Sequence, residues 1–335
     1  MHDAKATRAR VLVVAAAVVL VPYLFSRIAA PARRISVFAD SDVVQRSAAG
    51  KETIRVACYN IAHGRGVADS NWSGGTLDER MDRLDKIGEL LKRIDADVVV
   101  LNEVDFDSSW SHSVNQAEYL AKIAGYDFRV EQRNLDFRVL WWKWRFGNAI
   151  LSKAPISNAY VVDFPGYKWW ETLLAGKKRG VKCEVTFNGL HHVIVGCHLS
   201  HRSESLRVQS AQFLVDYIRG GLAPLFIAGD MNSTPSGFPK HNVDKQERNA
   251  IEVFDRSGLF VRNPATAPPE ETSLTFPSTN PQMVIDWILI SNDYSFQDYR
   301  VLKSDLSDHL PIYADVLVKP NREDSGVSPP ASEVD

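Results

Sequence analysis

In the stretch LFIAGDMNSTP an apolar run climbs from Leu225 to Gly229 and ends in a carboxylate, Asp230, with a carboxamide, Asn232, two positions on. Residues i and i+2 of a strand project to the same side. Both groups therefore point together from the end of a strand whose other residues are core. Asp and Asn followed by Ser233 and Pro235 are also good turn formers, and for this stretch alone a turn is the simpler reading. The same event recurs along the chain, however. Asn60 and His63 end the run TIRVACYNIA, Glu103 follows VVVLN, and His198 follows HVIVGC. Asp286 sits inside MVIDWILI, and Asp308 and His309 precede LPIYADVLV. Burying such groups unpaired is costly. A lone buried His or Asp is more often a satisfied core residue than a ligand, but the recurrence favours convergence on one cation. Carboxylates and amides are hard oxygen donors, suited to Mg²⁺ or Mn²⁺. No HExxH and no CxxC pairing points to zinc. Mg²⁺ takes one or two protein carboxylates plus phosphate oxygens. The other acids and His are then free for proton transfer and charge stabilisation at phosphorus.

These residues need elements to hold them. Apolar runs predict strands over 53–62, 96–105, 147–153, 224–230, 283–291 and 310–318, and a hairpin over 181–198 turning at Asn188-Gly189. That turn sets Cys183 opposite residue 194 and Cys197 opposite residue 180, on opposite faces, so no bridge is expected between them. With three Cys in all, buried free thiols are the default. Thr76 and Glu79 form a capping box ahead of Met81, Leu84, Ile87, Leu91 and Ile94 at helical spacing. Further helices are expected over 113–125 with Gly125 as stop, 203–219, and 247–258. Neither GxGxxG nor GxxxxGK[ST] occurs, which argues against dinucleotide and P-loop chemistry.

The ordered set of Asn60 in CYNIAHG, Glu103 in LNEVD, His198 in CHLS, GDMN at 229–232, Asp286 in VIDWI and SDH at 307–309 resembles the endonuclease/exonuclease/phosphatase superfamily. That group includes DNase I-like nucleases, abasic-site endonucleases, neutral sphingomyelinases and inositol-polyphosphate phosphatases. The resemblance covers 53–318 and is specific for the superfamily, not for a substrate. It implies an α/β four-layer sandwich, two mixed β-sheets packed face to face with helices outside, with the strand ends meeting at one edge. It implies Glu103 as principal metal ligand with Asn60 beside it, and Asp308 as a further ligand. Asp230 would orient or deprotonate the attacking water, Asn232 would hold the scissile phosphate, and His198 would bind a phosphate oxygen. His309 would be a phosphate-contacting acid/base residue oriented by Asp286. The family usually places an Arg and a Gln after the His198 motif; Arg207, Gln209 and Gln212 are present, in no fixed register.

The chain has 335 residues, 45% hydrophobic, with net charge −2, enough for one large domain and without the basic field of a nucleic-acid binder. The basic Lys177, Lys178 and Arg179 read as a solvated loop. Residues 1–34 read as a signal peptide or signal anchor: Lys5, Arg8 and Arg10 precede the apolar VLVVAAAVVLVPYLF, and IAAPA at 28–32 offers small residues for cleavage. Either reading exports the rest of the chain, to a secreted or periplasmic place or to an outward-facing anchor. Residues 35–52 read as a linker and 319–335 as a disordered tail. LWWKWRF (140–146) and FPGYKWW (164–170) hold five of the eight Trp. A packed aromatic cluster is one reading. The other is an exposed rim of Trp with interleaved cations, suited to a membrane surface or to stacking on nucleic acid bases. Arg65, in HGRG, is a candidate phosphate contact, against a plain glycine-flexible loop. The sequence thus points to an exported, Mg²⁺- or Mn²⁺-dependent phosphoesterase, a monomer, acting on a lipid-linked or surface phosphate ester. A secreted nuclease is the alternative, and a catalytically silent binding protein on the same scaffold a further one.

Overall fold

The computed structural model describes residues 2–29, 34–39, 53–167, 177–187, 189–219 and 225–318. A first sheet is formed by β1 (Ile35–Ala39), β2 (Thr53–Asn60), β3 (Val98–Asp105), β4 (Phe128–Val139), β5 (Trp142–Ser152), β12 (Tyr294–Val301) and β13 (Ile312–Val318). Its order is β1-β4-β5-β3-β2-β13-β12. A second sheet is formed by β6 (Ile156–Val162), β7 (Gly180–Phe187), β8 (Leu190–Gly196), β9 (Leu225–Asp230), β10 (Phe260–Arg262) and β11 (Asp286–Ser291), in the order β10-β11-β9-β8-β7-β6. Both sheets are mixed: β2 runs parallel to β3, β8 runs parallel to β9, and the other pairs are antiparallel.

Three apolar cores define four layers. The central one interleaves Val56, Cys58, Val100 and Ile150 of the first sheet with Val181, Cys183, Ile194, Phe226 and Ile288 of the second. On the outer face of the first sheet, Tyr59, Val99 and Leu101 meet α2 (Leu77–Ile94) and α3 (Gln116–Ala124) through Leu84, Ile87, Leu91 and Leu120. On the outer face of the second, Val195, Ile227 and Leu289 meet α4 (Glu204–Ile218) and α5 (Ala250–Ser257) through Ala211, Leu214 and Phe254. Strand alternation is what allows it: Cys183 faces the central core and Cys197 the outer one, and all three Cys are buried free thiols. Cys183 lies opposite Ile194, as the hairpin register predicts; Asn188 of its turn lies outside the described residues.

This topology gathers the polar strand ends. β2 and β3 are parallel, so Asn60 and Glu103 finish at the same end. β13 returns antiparallel to β2, which brings Asp308 and His309, just ahead of it, to that end too. In the second sheet Asp286, opening β11, pairs directly with Asp230, closing β9. β8 is parallel to β9 and delivers His198 beside them.

Helix α2 begins with the expected capping box, Thr76 Oγ1 accepting from the Glu79 amide and Glu79 Oε2 from the Thr76 amide. α3 and α5 start later than their sequence patterns, at the caps Asn115 and Asn249. The linker reading of 35–52 is corrected for 35–39, which form β1 against β4; 40–52 and the tail 319–335 lie outside the described residues. The β4–β5 hairpin extends the expected 147–153 strand well upstream. Its strand character is masked in sequence by charges that pair within and across the ladder: Arg129 and Arg133 with Glu131, and Arg145 with Asp136.

Helix α1 (His2–Ala29) stands outside the three cores. Its segment Thr7–Phe25 is long and apolar enough to cross a membrane. Nineteen residues at helical rise span about 28 Å, near the thickness of a hydrocarbon core. The helix is not wholly separate from the body, as its sequence suggests: Tyr23 stacks on Phe137 of β4 at 5.0 Å between ring centroids. Residues 30–32 of the small-residue segment lie outside the described residues.

Candidate active site

Backbone conformation marks the gathered strand ends, although left-handed residues also occur at helix caps and turns elsewhere, such as Asp95 and His112. Ala62, His63, Glu103 and Asn232 have φ of 47°, 54°, 52° and 51°. Such left-handed conformations in non-glycine residues are sparse and cluster where surrounding structure imposes them, often at functional sites. All four sit at the gathered strand ends. Glu103 falls in a β-bulge of β3, where pairing with β5 shifts register between Asn102 and Val104. A bulge re-aims one side chain out of the alternation, and here it re-aims the carboxylate.

One half of the site centres on Asp230. Asn60 Nδ2 donates to its Oδ2 at 3.0 Å, and the Asn232 amide donates to its Oδ1 at 2.9 Å. His198 Nε2 lies 3.3 Å and His309 Nε2 3.8 Å from Oδ2. Burial pushes the Asp230 carboxyl up to about 7, against the pull of His309, with Asp286 adding to the rise. His309 Nδ1 in turn pairs with Asp286 at 2.9 Å. Burial opposes its charge, but Asp286 and Asp230 outweigh burial and raise the imidazole to about 10. His198 behaves oppositely. Burial first, then Lys178, hold it well below the ordinary His value, so it is neutral. Lys178 Nζ lies 2.9 Å from Nε2 and 3.0 Å from Nδ1, so the neutral ring offers the ammonium a lone-pair acceptor.

The other half centres on Glu103. Arg65, His63, Lys178 and His198 lie 3.4, 3.5, 3.5 and 3.8 Å from its carboxylate. Burial raises its pKa, yet Lys178, His63, His198 and Arg65 together hold it well below the usual carboxylate range. Arg65 bridges to Asp308 at 2.7 Å. It is partly buried in this pairing rather than extended into solvent. His63 is fixed through Nδ1 to Asp105 at 2.8 Å, and Trp110 Nε1 donates to the other Asp105 oxygen.

The structure thus brings together all nine expected residues, Asn60, Arg65, Glu103, His198, Asp230, Asn232, Asp286, Asp308 and His309. Lys178 is the main residue that sequence reasoning misplaced. It reads there as part of a solvated loop, yet it joins His198 to Glu103. Arg179 is buried too, its guanidinium on Asp163 and the Asn134 carbonyl. Loop residues carry no periodicity, so nothing local marks them. A buried amide chain was likewise unread. Asn102 Oδ1 accepts from the Asp230 amide, Asn102 Nδ2 donates to Asn148, and Asn148 Nδ2 donates to Gln132. Asn102 directly precedes Glu103 in a run of Val and Leu, which is the one signal that could have found it. Of the helix residues left in open register, Arg207 is a buttress. It binds Glu204 and the Ser200 carbonyl, while Glu204 accepts from Ser233. Gln209 and Gln212 bond within α4, to Ser205 and Asp216.

Gly229 sets how closely the two sheets approach here. It has φ of 138°, and a Cβ would overlap the Cys197 carbonyl oxygen and press on Asn102 Oδ1 at 2.9 Å. Gly229→Ala is expected to destabilise the fold by about 3 kcal/mol or more, measured by urea unfolding. A loss under about 0.5 kcal/mol would show that the backbone at Asp230 is not held this tightly.

Two groups of donors could serve a cation. Asp230, Asp286 and His309 offer atoms within 4.8 Å of one another. Their atoms are engaged with each other, and the protonated imidazole already supplies the positive charge. Glu103 and Asp308 fit a hard divalent ion better: two partly exposed carboxylates converge on one cationic group, the Arg65 guanidinium. Asn60 is not directed at that pair. Its Nδ2 is given to Asp230 and its Oδ1 to the Ala62 amide.

Comparison with known proteins agrees with this geometry. The family model described as Endonuclease/Exonuclease/phosphatase family matches residues 57–309. An endonuclease/exonuclease/phosphatase from Beutenbergia cavernae is similar in structure, with TM-score 0.61 and 20% identity, over 80% of this chain and 72% of that one. Another from Bacteroides vulgatus gives TM-score 0.61 and 19% identity, over 80% and 100%. The mannosyl-6-phosphatase of Bacteroides thetaiotaomicron gives 0.57 and 18%, over 79% and 99%. No curated protein matches. Family members depend in general on a divalent metal, and the α/β sandwich of two mixed sheets is the shared fold. The chain belongs to the endonuclease/exonuclease/phosphatase family and is a hydrolase of phosphate ester bonds.

Proposed function

We propose that this hydrolase is exported, uses Mg²⁺ or Mn²⁺, and cleaves a phosphodiester, or a phosphomonoester, on a lipid or other membrane-associated head group. The observation that carries the membrane reading is a run of aromatic rings from α1 to the site. Tyr23 stacks on Phe137, Phe137 on Trp144 at 5.1 Å, and Trp144 packs on Trp110 at 6.2 Å. Trp110 meets His63 edge-on at 5.9 Å, and His63 faces Glu103. The rings of the Trp region differ in exposure. Trp144 is packed, while Trp141 is 75% exposed beside the half-exposed Leu140 and Trp142 at the β4–β5 tip, and Trp72 is exposed next to them. Trp169 and Trp170 lie outside the described residues. Exposed Trp on the same hairpin as an apolar helix suits a bilayer interface.

In the proposed chemistry Glu103 and Asp308 would hold the cation, which when bound would supply Lewis-acid stabilisation of charge on the phosphate oxygens. Asp230 accepts the proton of the attacking water, its carboxyl poised near neutrality. His309 is protonated and stabilises the charge that develops at phosphorus, aligned by Asp286. Lys178 adds charge through neutral His198. Asn232, whose backbone amide bonds Asp230 and whose Nδ2 donates to the Leu199 carbonyl, would help position the phosphate.

The test offers full-length protein sphingomyelin, phosphatidylinositol, plasmid DNA, single-stranded RNA and inositol phosphates, with Mg²⁺ and with Mn²⁺. A head group on vesicles should be cleaved fastest. Trp141→Ser with Trp142→Ser should lower vesicle cleavage about tenfold or more while sparing soluble bis(p-nitrophenyl) phosphate. Preference for DNA or RNA, or equal loss on both substrates in the double variant, would overturn the membrane reading.

A further inference from the structure

His63 has no part in the chemistry proposed above, yet its ring and its backbone are both held in place. Nδ1 donates to Asp105 Oδ1 at 2.8 Å, and Asp105 is fully buried. Trp110 Nε1 donates to the second Asp105 oxygen at 2.8 Å, and Gln116 Oε1 accepts from the Asp105 amide at 3.0 Å. The His63 carbonyl accepts from Gln116 Nε2 at 2.8 Å and from Arg80 Nη1 at 3.2 Å. Trp110 and Phe146 meet the imidazole edge-on, at 5.9 and 5.2 Å between ring centroids. The left-handed backbone at His63 is costly for a residue with a side chain, and these contacts are what impose it.

Nε2 is the atom these contacts leave for a ligand. With Nδ1 given to a carboxylate, Nδ1 carries the hydrogen and Nε2 presents its lone pair. Nε2 lies 3.5 Å from Glu103 Oε2, the same oxygen that Arg65 Nη1 approaches at 3.4 Å. A lone pair and a carboxylate oxygen facing each other repel unless a positive charge stands between them. Adjacent donors on one octahedral ion, each about 2.1 Å from it, are about 3 Å apart, near the spacing of this pair. An imidazole that gives its other nitrogen to a carboxylate is also the usual form of a metal-ligating His, the carboxylate fixing the ring.

We propose that His63 Nε2 is a nitrogen ligand of the divalent ion, next to Glu103, with Asp105 as its positioning residue. The inference rests on the reading of Glu103 as an ion ligand and adds to it the class of ion. A site built of carboxylates, phosphate and water suits Mg²⁺. An imidazole in the set shifts the preference to a first-row transition ion, which of the two ions considered is Mn²⁺.

The experiment strips full-length protein with EDTA, loads it with Mn²⁺ and records electron spin-echo modulation, which detects nitrogen bound directly to the ion. Affinities for Mn²⁺ and Mg²⁺ are measured alongside by calorimetry. The wild type should show the modulation of one bound imidazole. In His63→Gln it should vanish, with Mn²⁺ bound about tenfold or more weaker and a smaller loss for Mg²⁺. Asp105→Asn keeps the ring but should also weaken Mn²⁺ about tenfold. His198→Gln, which removes the other ring near Glu103, should leave the modulation intact. A wild-type spectrum with oxygen ligands alone would make His63 a charge partner of Glu103 and overturn the proposal, with Glu103 still an ion ligand; that spectrum decides even where a variant does not fold. Modulation that survives in His63→Gln, or is lost in His198→Gln, overturns it as well. A wild type that binds no Mn²⁺ would overturn the metal reading of the main site together with this one.

Discussion

Asp230→Asn is expected to lower kcat by about 10²–10⁴-fold with KM little changed. The substitution is nearly isosteric. It keeps an oxygen for the Asn232 amide but removes the carboxylate that, in the proposed chemistry, takes a proton from water between His198 and His309. The folded state should tolerate it. Burial already disfavours the charged carboxylate, so a neutral amide removes a desolvation cost while losing the acceptor for Asn60. Thermal unfolding should therefore move by only a few degrees. Steady-state kinetics on bis(p-nitrophenyl) phosphate, with a melting curve as control, decide it. A kcat within threefold of wild type would remove Asp230 from the proton-transfer role.

His309→Ala should cost about 10²–10³-fold, the usual effect of deleting one preorganised donor to a developing anion. Asp286→Asn should produce a smaller loss of the same kind. Asp286 is a positioning residue: it acts through Nδ1 of His309, and its removal leaves the imidazole in place but weakens its hold on the proton. The two effects should not add. The double variant is expected to match His309→Ala alone, because without the imidazole Asp286 has nothing left to orient. Additive losses would mean that Asp286 acts independently of His309, for example through the alternative cation group it forms with Asp230.

The chemistry of the site was legible because it sits at strand ends. A carboxylate or imidazole closing an apolar run breaks a strong pattern, and Asp230, Glu103, His198 and Asp286 each break one. The register of the Cys183 hairpin and the capping box at Thr76 were legible for a similar reason, since each depends on residues close in sequence. What stayed hidden depends on long-range partners. Lys178 acquires its role from His198 and Glu103, which are distant in sequence. Asn102 and Asn148 look like breaks in buried strands until their amides are seen to bond each other. The β4–β5 hairpin looks too charged for a strand until Arg145 finds Asp136 across it. Trp72 and Trp110 lie far from the Trp-rich segment in sequence and complete its cluster only in the fold. Arg207, left in open register, binds Glu204, which in turn holds Ser233 of the loop after Asn232.

The proposed chemistry depends on one cleft in which Glu103 would hold a divalent ion beside Asp230 and His309. The most direct test strips purified full-length protein with EDTA, then titrates Mg²⁺ or Mn²⁺ while following bis(p-nitrophenyl) phosphate hydrolysis, with Glu103→Ala run alongside. The account predicts that activity disappears on stripping, returns with either ion, and does not return in a folded Glu103→Ala protein. Turnover that survives EDTA, or a Glu103→Ala variant restored to the wild-type rate by metal, would contradict it.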